Sequence, residues 1–287
     1  MSGLSETVQT TALPELTEDL EAARRDLSVW GYAVIANALT AEQVRECRER
    51  LRSQAAAEEA AGIGHFDNGE LKLNQRVWNL VNKGRMFRDL LFHPVLRELL
   101  PELLGKDYTL SSLTANIAAP GGEPMALHSD QGYTPRSMPI RVVVNTAWML
   151  EDHSEENGGT RLVPGSHLWP ELPEDKPEVE SIAATGPAGT MVMFDGRLWH
   201  GTGANRTTRH RHLLLGYFCR PWIRPQENFT LSLLDELYEE ASPELLGLLG
   251  FRTYGTLGNV NGVIVPNGAL IDRGRQVGLM ETPPPQQ

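Results

Sequence analysis

His128 and Asp130 stand one residue apart. In an extended strand, residues i and i+2 point to the same face. The pair therefore aims an imidazole and a carboxylate at one point. Together they supply two ligands of a 2-His-1-carboxylate set, which leaves positions open for Fe(II) chemistry. The third donor should be a later histidine on a neighbouring strand. His200 fits, because it follows the strand-like run Gly189–Gly196 and lies in Leu198-Trp-His-Gly-Thr-Gly-Ala-Asn205. Glycines beside it permit close approach of backbone and ligand. His210 and His212 compete for the role. They flank Arg211 and would share one strand face, with Arg211 on the other. An inward histidine pair proposes a different metal site, whereas an inward Arg211 offers a bidentate carboxylate anchor. Spacing alone leaves both open.

These residues need a scaffold. The runs Thr109–Pro120, Arg141–Leu150, Gly159–Gly165, Gly189–Gly196 and Arg211–Cys219 are β-rich and punctuated by Gly and Pro, the pattern of a sandwich or barrel-like sheet pair. The first hundred residues read as mixed, with helices prominent. Leu16–Trp30 has helical spacing, with Thr17 as candidate cap, and Gly31–Ile35 alternates like a short strand. Thr40-Ala-Glu-Gln43 is a capping box, flanked by Leu39 and Val44 as a staple, and predicts a helix to about Ala60. Ala61–Glu70 reads as loop, Lys83–Leu104 as helix and Thr230–Leu249 as helix. We expect one domain over 1–287: a helical part at about 15–105, a β core at about 106–222 and a helical or loop extension over 223–287. Residues 1–14 and the Pro-rich end should be loose.

The 287 residues carry 26 basic and 37 acidic side chains, a net charge of −11, with 40% apolar residues. That is a globular mixture. Its acidity argues against non-specific binding to nucleic acid or anionic membrane. Cys47 and Cys219 are the two cysteines, which excludes a disulfide scaffold and a CxxC zinc site and favours two buried thiols. No apolar run approaches the ~20 residues of a membrane span. With no secretory signal visible, the expected location is cytoplasmic.

The order His128-Ser-Asp130, Asn157-Gly-Gly-Thr160-Arg-Leu-Val-Pro164-Gly-Ser-His167, Trp199-His200-Gly-Thr-Gly-Ala-Asn205 and Arg211 resembles the phytanoyl-CoA dioxygenase family. The similarity runs from about Leu27 to Pro221. Members are non-haem Fe(II)- and 2-oxoglutarate-dependent oxygenases. The resemblance implies a double-stranded β-helix, a jelly-roll or cupin-like fold that is mainly β with flanking helices. It implies Fe(II), 2-oxoglutarate and O2 as cofactor and cosubstrates, with oxidation of a C–H bond in a small organic molecule. His128, Asp130 and His200 match the metal ligands. Arg211 matches the arginine that binds the distal carboxylate of 2-oxoglutarate, which turns the His210–His212 alternative outward. Thr202, Thr160 and Trp148 match cosubstrate-pocket positions. The carboxylate at Asp130 disfavours halogenation, while hydroxylation, desaturation, epimerisation, ring rearrangement and endoperoxidation stay open.

For substrate, Gln131, Tyr133 and Arg136 follow the metal motif and should face the cavity mouth. Gly62–Gln75 and Gly255–Gly268 are candidate lids. A coenzyme-A thioester is disfavoured, since no basic cluster stands out away from Arg211, and a natural-product substrate is favoured by analogy. Two other readings remain: a cupin-like metal enzyme that does not use 2-oxoglutarate, and a non-catalytic metal-binding relative. Oligomeric state is open.

Overall fold

Period-two alternation in the long apolar runs builds a sheet with two unlike faces. The computed structural model describes residues 12–67, 71–135, 138, 140–260, 266 and 268–271. The strands are β1 (Leu16–Thr17), β2 (Tyr32–Ile35), β3 (His65–Phe66), β4 (Asn74–Val77), β5 (Thr109–Ala118), β6 (Val143–Met149), β7 (Arg161–Leu162), β8 (Ile182–Ala183), β9 (Met191–Asp195), β10 (His200–Gly201) and β11 (Arg211–Cys219). The large sheet has the order β1-β2-β9-β6-β11-β5-β4-β3, and β10-β7-β8 form a second, small one. All pairings are antiparallel except β1 with β2. This is the jelly-roll, double-stranded β-helix arrangement. The large sheet also takes β1 to β4 from the first hundred residues.

On the outer face, Val144, Trp148, Leu214, Leu113, Ala115 and Ile117 join the main core under the helices. On the inner face, Val34, Ala147, Met149, Val192, Phe194 and Leu213 pack with Leu162 and Ala184 of the small-sheet side. Burying each large aliphatic side chain is worth about 1.5–3 kcal/mol. The inner face of β5 carries Ser112, Thr114 and Asn116 instead, and these line a cavity. The apolar half of that face closes the sandwich, and the polar half leaves it open.

The helices are α1 (Leu20–Val29), α2 (Ala41–Ala60), α3 (Arg85–Leu90) and α4 (Pro94–Leu104). The capping box of α2 forms as the sequence predicts: Gln43 N–H donates to Thr40 Oγ1, and Thr40 N–H donates to Gln43 Oε1. Removing such a cap costs about 1 kcal/mol. Thr17 is not the cap of α1. It pairs with Ile35 in the sheet, and Asp19 caps the helix by accepting Glu21 N–H. The helix expected over Lys83–Leu104 is broken, because Pro94 forces His93 into extended backbone (ψ 136°) and His93 becomes the cap of α4. The segment Thr230–Leu249 likewise divides into α5 (Phe229–Ser232), α6 (Asp235–Glu240) and α7 (Pro243–Leu246), with Ser242 extended before Pro243. The expected loop around Gly62–Gln75 contains the β3–β4 hairpin at the sheet edge. Cys47 and Cys219 are both buried free thiols. Among the described residues, no helix is long and apolar enough to cross a membrane.

Candidate metal centre and cosubstrate pocket

His128 and His200 are held opposite each other by two backbone hydrogen bonds, His128 N–H to His200 O at 2.9 Å and the reverse at 3.0 Å. Directly paired residues put their side chains on the same face, and the two ring centroids lie 4.3 Å apart. Asp130 falls on that face two residues along. Its turn is pinned to the end of β9, where Gly196 O accepts Gln131 N–H and Ser129 Oγ–H. Buried Asp195, the residue before Gly196, is itself clamped by Arg141 and Arg197.

His200 Nε2 lies 3.4 Å from Asp130 Oδ2, and His128 Nε2 lies 3.6 Å from Oδ1. One ligand atom from each residue falls within 4.8 Å of the others. Each Nδ1 faces a carbonyl, that of Ala126 at 3.1 Å for His128 and that of Leu198 at 2.9 Å for His200. A carbonyl only accepts, so each Nδ1 carries a proton and each Nε2 turns toward the carboxylate; against the opposing effect of burial, the Asp130 charge and hydrogen bond hold the His200 pKa above its ordinary value. Three electron-pair donors converging on one point fit a divalent cation. The set is two imidazoles and one carboxylate, with donor N–H groups already fixed by outer partners.

Charge reinforces the geometry. Burial opposes ionisation of Asp130, but the His200 and His128 imidazoles and the Asn145 amide hold its carboxyl below the usual range. Burial and the neighbouring His200 push His128 down, favouring its neutral, ligating form.

The cavity beside this cluster measures about 210 Å³. Thr160 and Thr202 line it with Asn116. Arg211 is 1% exposed and projects inward from β11. Its Nη1 donates to Asn116 Oδ1 and its Nη2 to Gly158 O, both at 3.0 Å. Both acceptors are neutral, no carboxylate lies within 4 Å among the described residues, and Nε has no partner there. Burial pushes its pKa down to about 10, so it stays cationic at neutral pH. A fixed, buried, uncompensated guanidinium is a receptor for a carboxylate.

His210 and His212 point away on the other face. His212 Nδ1 contacts Glu151 Oε1 at 2.7 Å, and His210 is exposed. Trp148 does not reach the pocket. It sits on the outer face of β6, packed edge-on against His93, because β6 alternation assigns its even positions to the helix-covered core. Gln131 is also turned away: its amide donates to Ile140 O and accepts Val142 N–H, bracing the following loop. Tyr133 is half-exposed, and its hydroxyl meets that of Tyr217 at 3.3 Å. Arg136 lies outside the described residues, as do 261–265 and 267 of the second candidate lid. The described part, including Leu257 and Gly258, lines a separate hollow beside Glu227 and Arg252.

Sequence reading missed Asn145, Asn116, Arg76 with its Asp67 partner, Trp78 and Gln226, all of which line the cavity. Polar residues alternating through Ser112-Leu-Thr-Ala-Asn116 were the available signal.

The family model described as phytanoyl-CoA dioxygenase matches residues 28–213. "Dioxygenase af480" of Aspergillus fumigatus is 35% identical over 248 residues, covering 84% of this chain and 80% of the relative. "Dioxygenase andF" of Emericella variicolor is 30% identical over 191 residues, covering 63% and 67%. Among solved structures, HygX from Streptomyces hygroscopicus, with nickel and 2-oxoglutarate bound, superposes with a TM-score of 0.58 at 15% identity over 71% of this chain and 88% of that one. The non-heme alpha ketoglutarate dependent epimerase SnoN from nogalamycin biosynthesis gives 0.58 at 21% identity, over 78% and 91%. This chain belongs to the phytanoyl-CoA dioxygenase family of Fe(II)- and 2-oxoglutarate-dependent oxygenases.

Proposed function

We propose that His128, Asp130 and His200 hold the Fe(II), that Arg211 anchors the distal carboxylate of 2-oxoglutarate, and that the enzyme hydroxylates a small natural product. The observation that carries this reading is a convergent donor set lining one cavity, with the buried Arg211 guanidinium, free of any carboxylate contact among the described residues, bonded to Asn116 in that cavity's wall. Iron and 2-oxoglutarate held there would supply the activation of O2, the oxidant: one oxygen atom would go into the succinate formed as 2-oxoglutarate loses CO2, and the other into an unactivated C–H bond of the substrate. The chain's own residues position and exclude. Thr202 and Thr160 line the same cavity, and Asn116 bonds the guanidinium from its wall. Ser112, Thr114 and Gln226 line one wall with hydroxyls and an amide, while Trp78 and Tyr217 add aromatic surface. That mixture suits a compact substrate bearing oxygen functions on an apolar skeleton. The printed origin of SnoN, nogalamycin biosynthesis, supports natural-product tailoring. Arg211 would have no evident purpose in a cupin-type enzyme that does without 2-oxoglutarate.

The test is succinate release from 2-oxoglutarate with anaerobically supplied Fe(II). His128→Ala, Asp130→Ala and His200→Ala should each abolish it while circular dichroism stays native-like. His210→Ala and His212→Ala should keep metal affinity. Metal loss in either of those, with retention in His200→Ala, would overturn the ligand assignment.

A further inference from the structure

On the far side of β11 from Arg211 lies a second concavity of about 530 Å³, formed between α2 and the ends of β4, β5 and β11. Arg48 and Arg52 reach it from one face of α2, being one helical turn apart, and the small residues Ala55 and Ala56 continue that face. Arg209, His210 and Thr208 reach it from the loop before β11. In an acidic chain of net charge −11, three arginines and two histidines meet in this one concavity, against Glu59 and Glu151. The sequence alone showed no basic cluster away from Arg211, because Arg48 and Arg52 are more than 150 residues distant from Arg209 in the chain.

Arg48 Nη1 donates to Leu150 O at 3.3 Å, but none of the three arginines is neutralised by the protein. Among the described residues, Arg48, Arg52 and Arg209 have no carboxylate within 4.0 Å. Glu151, the nearest acid on the strand side, gives Oε2 to His212 N–H and Oε1 to His212 Nδ1. Glu59, at the rim, pairs outward with Lys72. Burial, then His212 and Arg52, press the pKa of His210 downward, which reports the same crowding of positive charge. The loop is held for the purpose: Arg209 O accepts both Asn205 Nδ2–H and Thr207 Oγ1–H, so its side chain starts from a fixed backbone.

We propose that this groove binds a small phosphate-class dianion, with Arg52 and Arg209 as its principal ligands from opposite walls and Thr208 as a hydroxyl donor. Guanidinium groups arriving from a helix and from a loop suit a tetrahedral oxyanion, which offers acceptors in several directions, better than a planar carboxylate. The site is back to back with the 2-oxoglutarate anchor, since Arg211 and its two flanking histidines alternate across one strand.

The experiment is calorimetric titration of the full-length protein with inorganic phosphate at constant ionic strength, with chloride and succinate as parallel arms. Saturable phosphate binding is expected, weakened about tenfold by Arg52→Ala or Arg209→Ala and lost in the double variant. Both side chains are exposed, so these variants should fold and keep 2-oxoglutarate turnover. Amide exchange with and without phosphate should protect residues 48–56 and 207–212. Unchanged affinity in the double variant places the anion elsewhere and overturns the proposal. An equal response to chloride also overturns it, as general screening. Tighter binding of succinate than phosphate, lost in the same double variant, overturns the phosphate assignment in favour of a dicarboxylate.

Discussion

Asn145 donates its side-chain amide to Asp130 Oδ2 at 2.8 Å, from the middle of β6 to the turn that carries Asp130. That bond orients the carboxylate toward both imidazoles, and Tyr217 O–H to Asp130 O at 2.8 Å fixes the backbone beneath it. Asn145→Ala should leave the fold intact and weaken metal binding by about 10- to 100-fold, the usual cost of losing an outer partner of a ligand. Titration with Fe(II) or Mn(II) under nitrogen measures it. Unaltered affinity would show that Asp130 is held without Asn145.

Arg211→Ala should raise the KM for 2-oxoglutarate far more than it changes metal affinity. Truncating one partner of a buried, hydrogen-bonded charge pair costs about 2–5 kcal/mol. Arg209→Ala, two residues upstream and exposed, should leave that KM nearly unchanged. The reverse pattern would move the anchor to Arg209.

Gly158 supplies the carbonyl that holds Arg211 Nη2, and it does so at φ 84° with a Cβ position only 2.6 Å from Gly203 O. Gly158→Ala should therefore displace that carbonyl and raise the KM for 2-oxoglutarate, on top of about 1–2 kcal/mol of backbone strain. Gly165→Ala is the control: its φ is 79°, yet nothing lies within 4 Å of the added methyl. It should show the strain in a denaturant melt and leave the KM alone.

Glu227 accepts Leu113 N–H at 2.8 Å, and burial raises its pKa from an ordinary 4.5 to about 7. The folded state therefore binds a proton that the unfolded state releases earlier. Its contribution to stability is complete below about pH 4.5 and is lost as pH rises through 7. Glu227→Gln should flatten the fall in stability between pH 5 and pH 8, measured by urea melts. A wild-type slope that persists in the variant would assign the effect to another group.

The opposition of Arg211 to His210 and His212 was legible in the chain because it depends on local period, and β11 keeps it. His128 and Asp130 were expected to share a face of a strand; they converge instead from an isolated bridge to His200 and the turn after it. The capping box at Thr40 was legible for the same reason, since its bonds close within four residues. Which face looks inward is a different kind of fact. Trp148 and Asn145 lie three residues apart on β6, and only the packing of α4 against that sheet makes one core and the other cavity. Gln131 follows the metal motif directly, but a loop folded back by Arg141 and Asp195 consumes its amide. The partners of Asp130, Arg211 and the α2 groove come from residues far apart in sequence. Their meeting is decided by strand order and sheet closure, which local spacing does not encode.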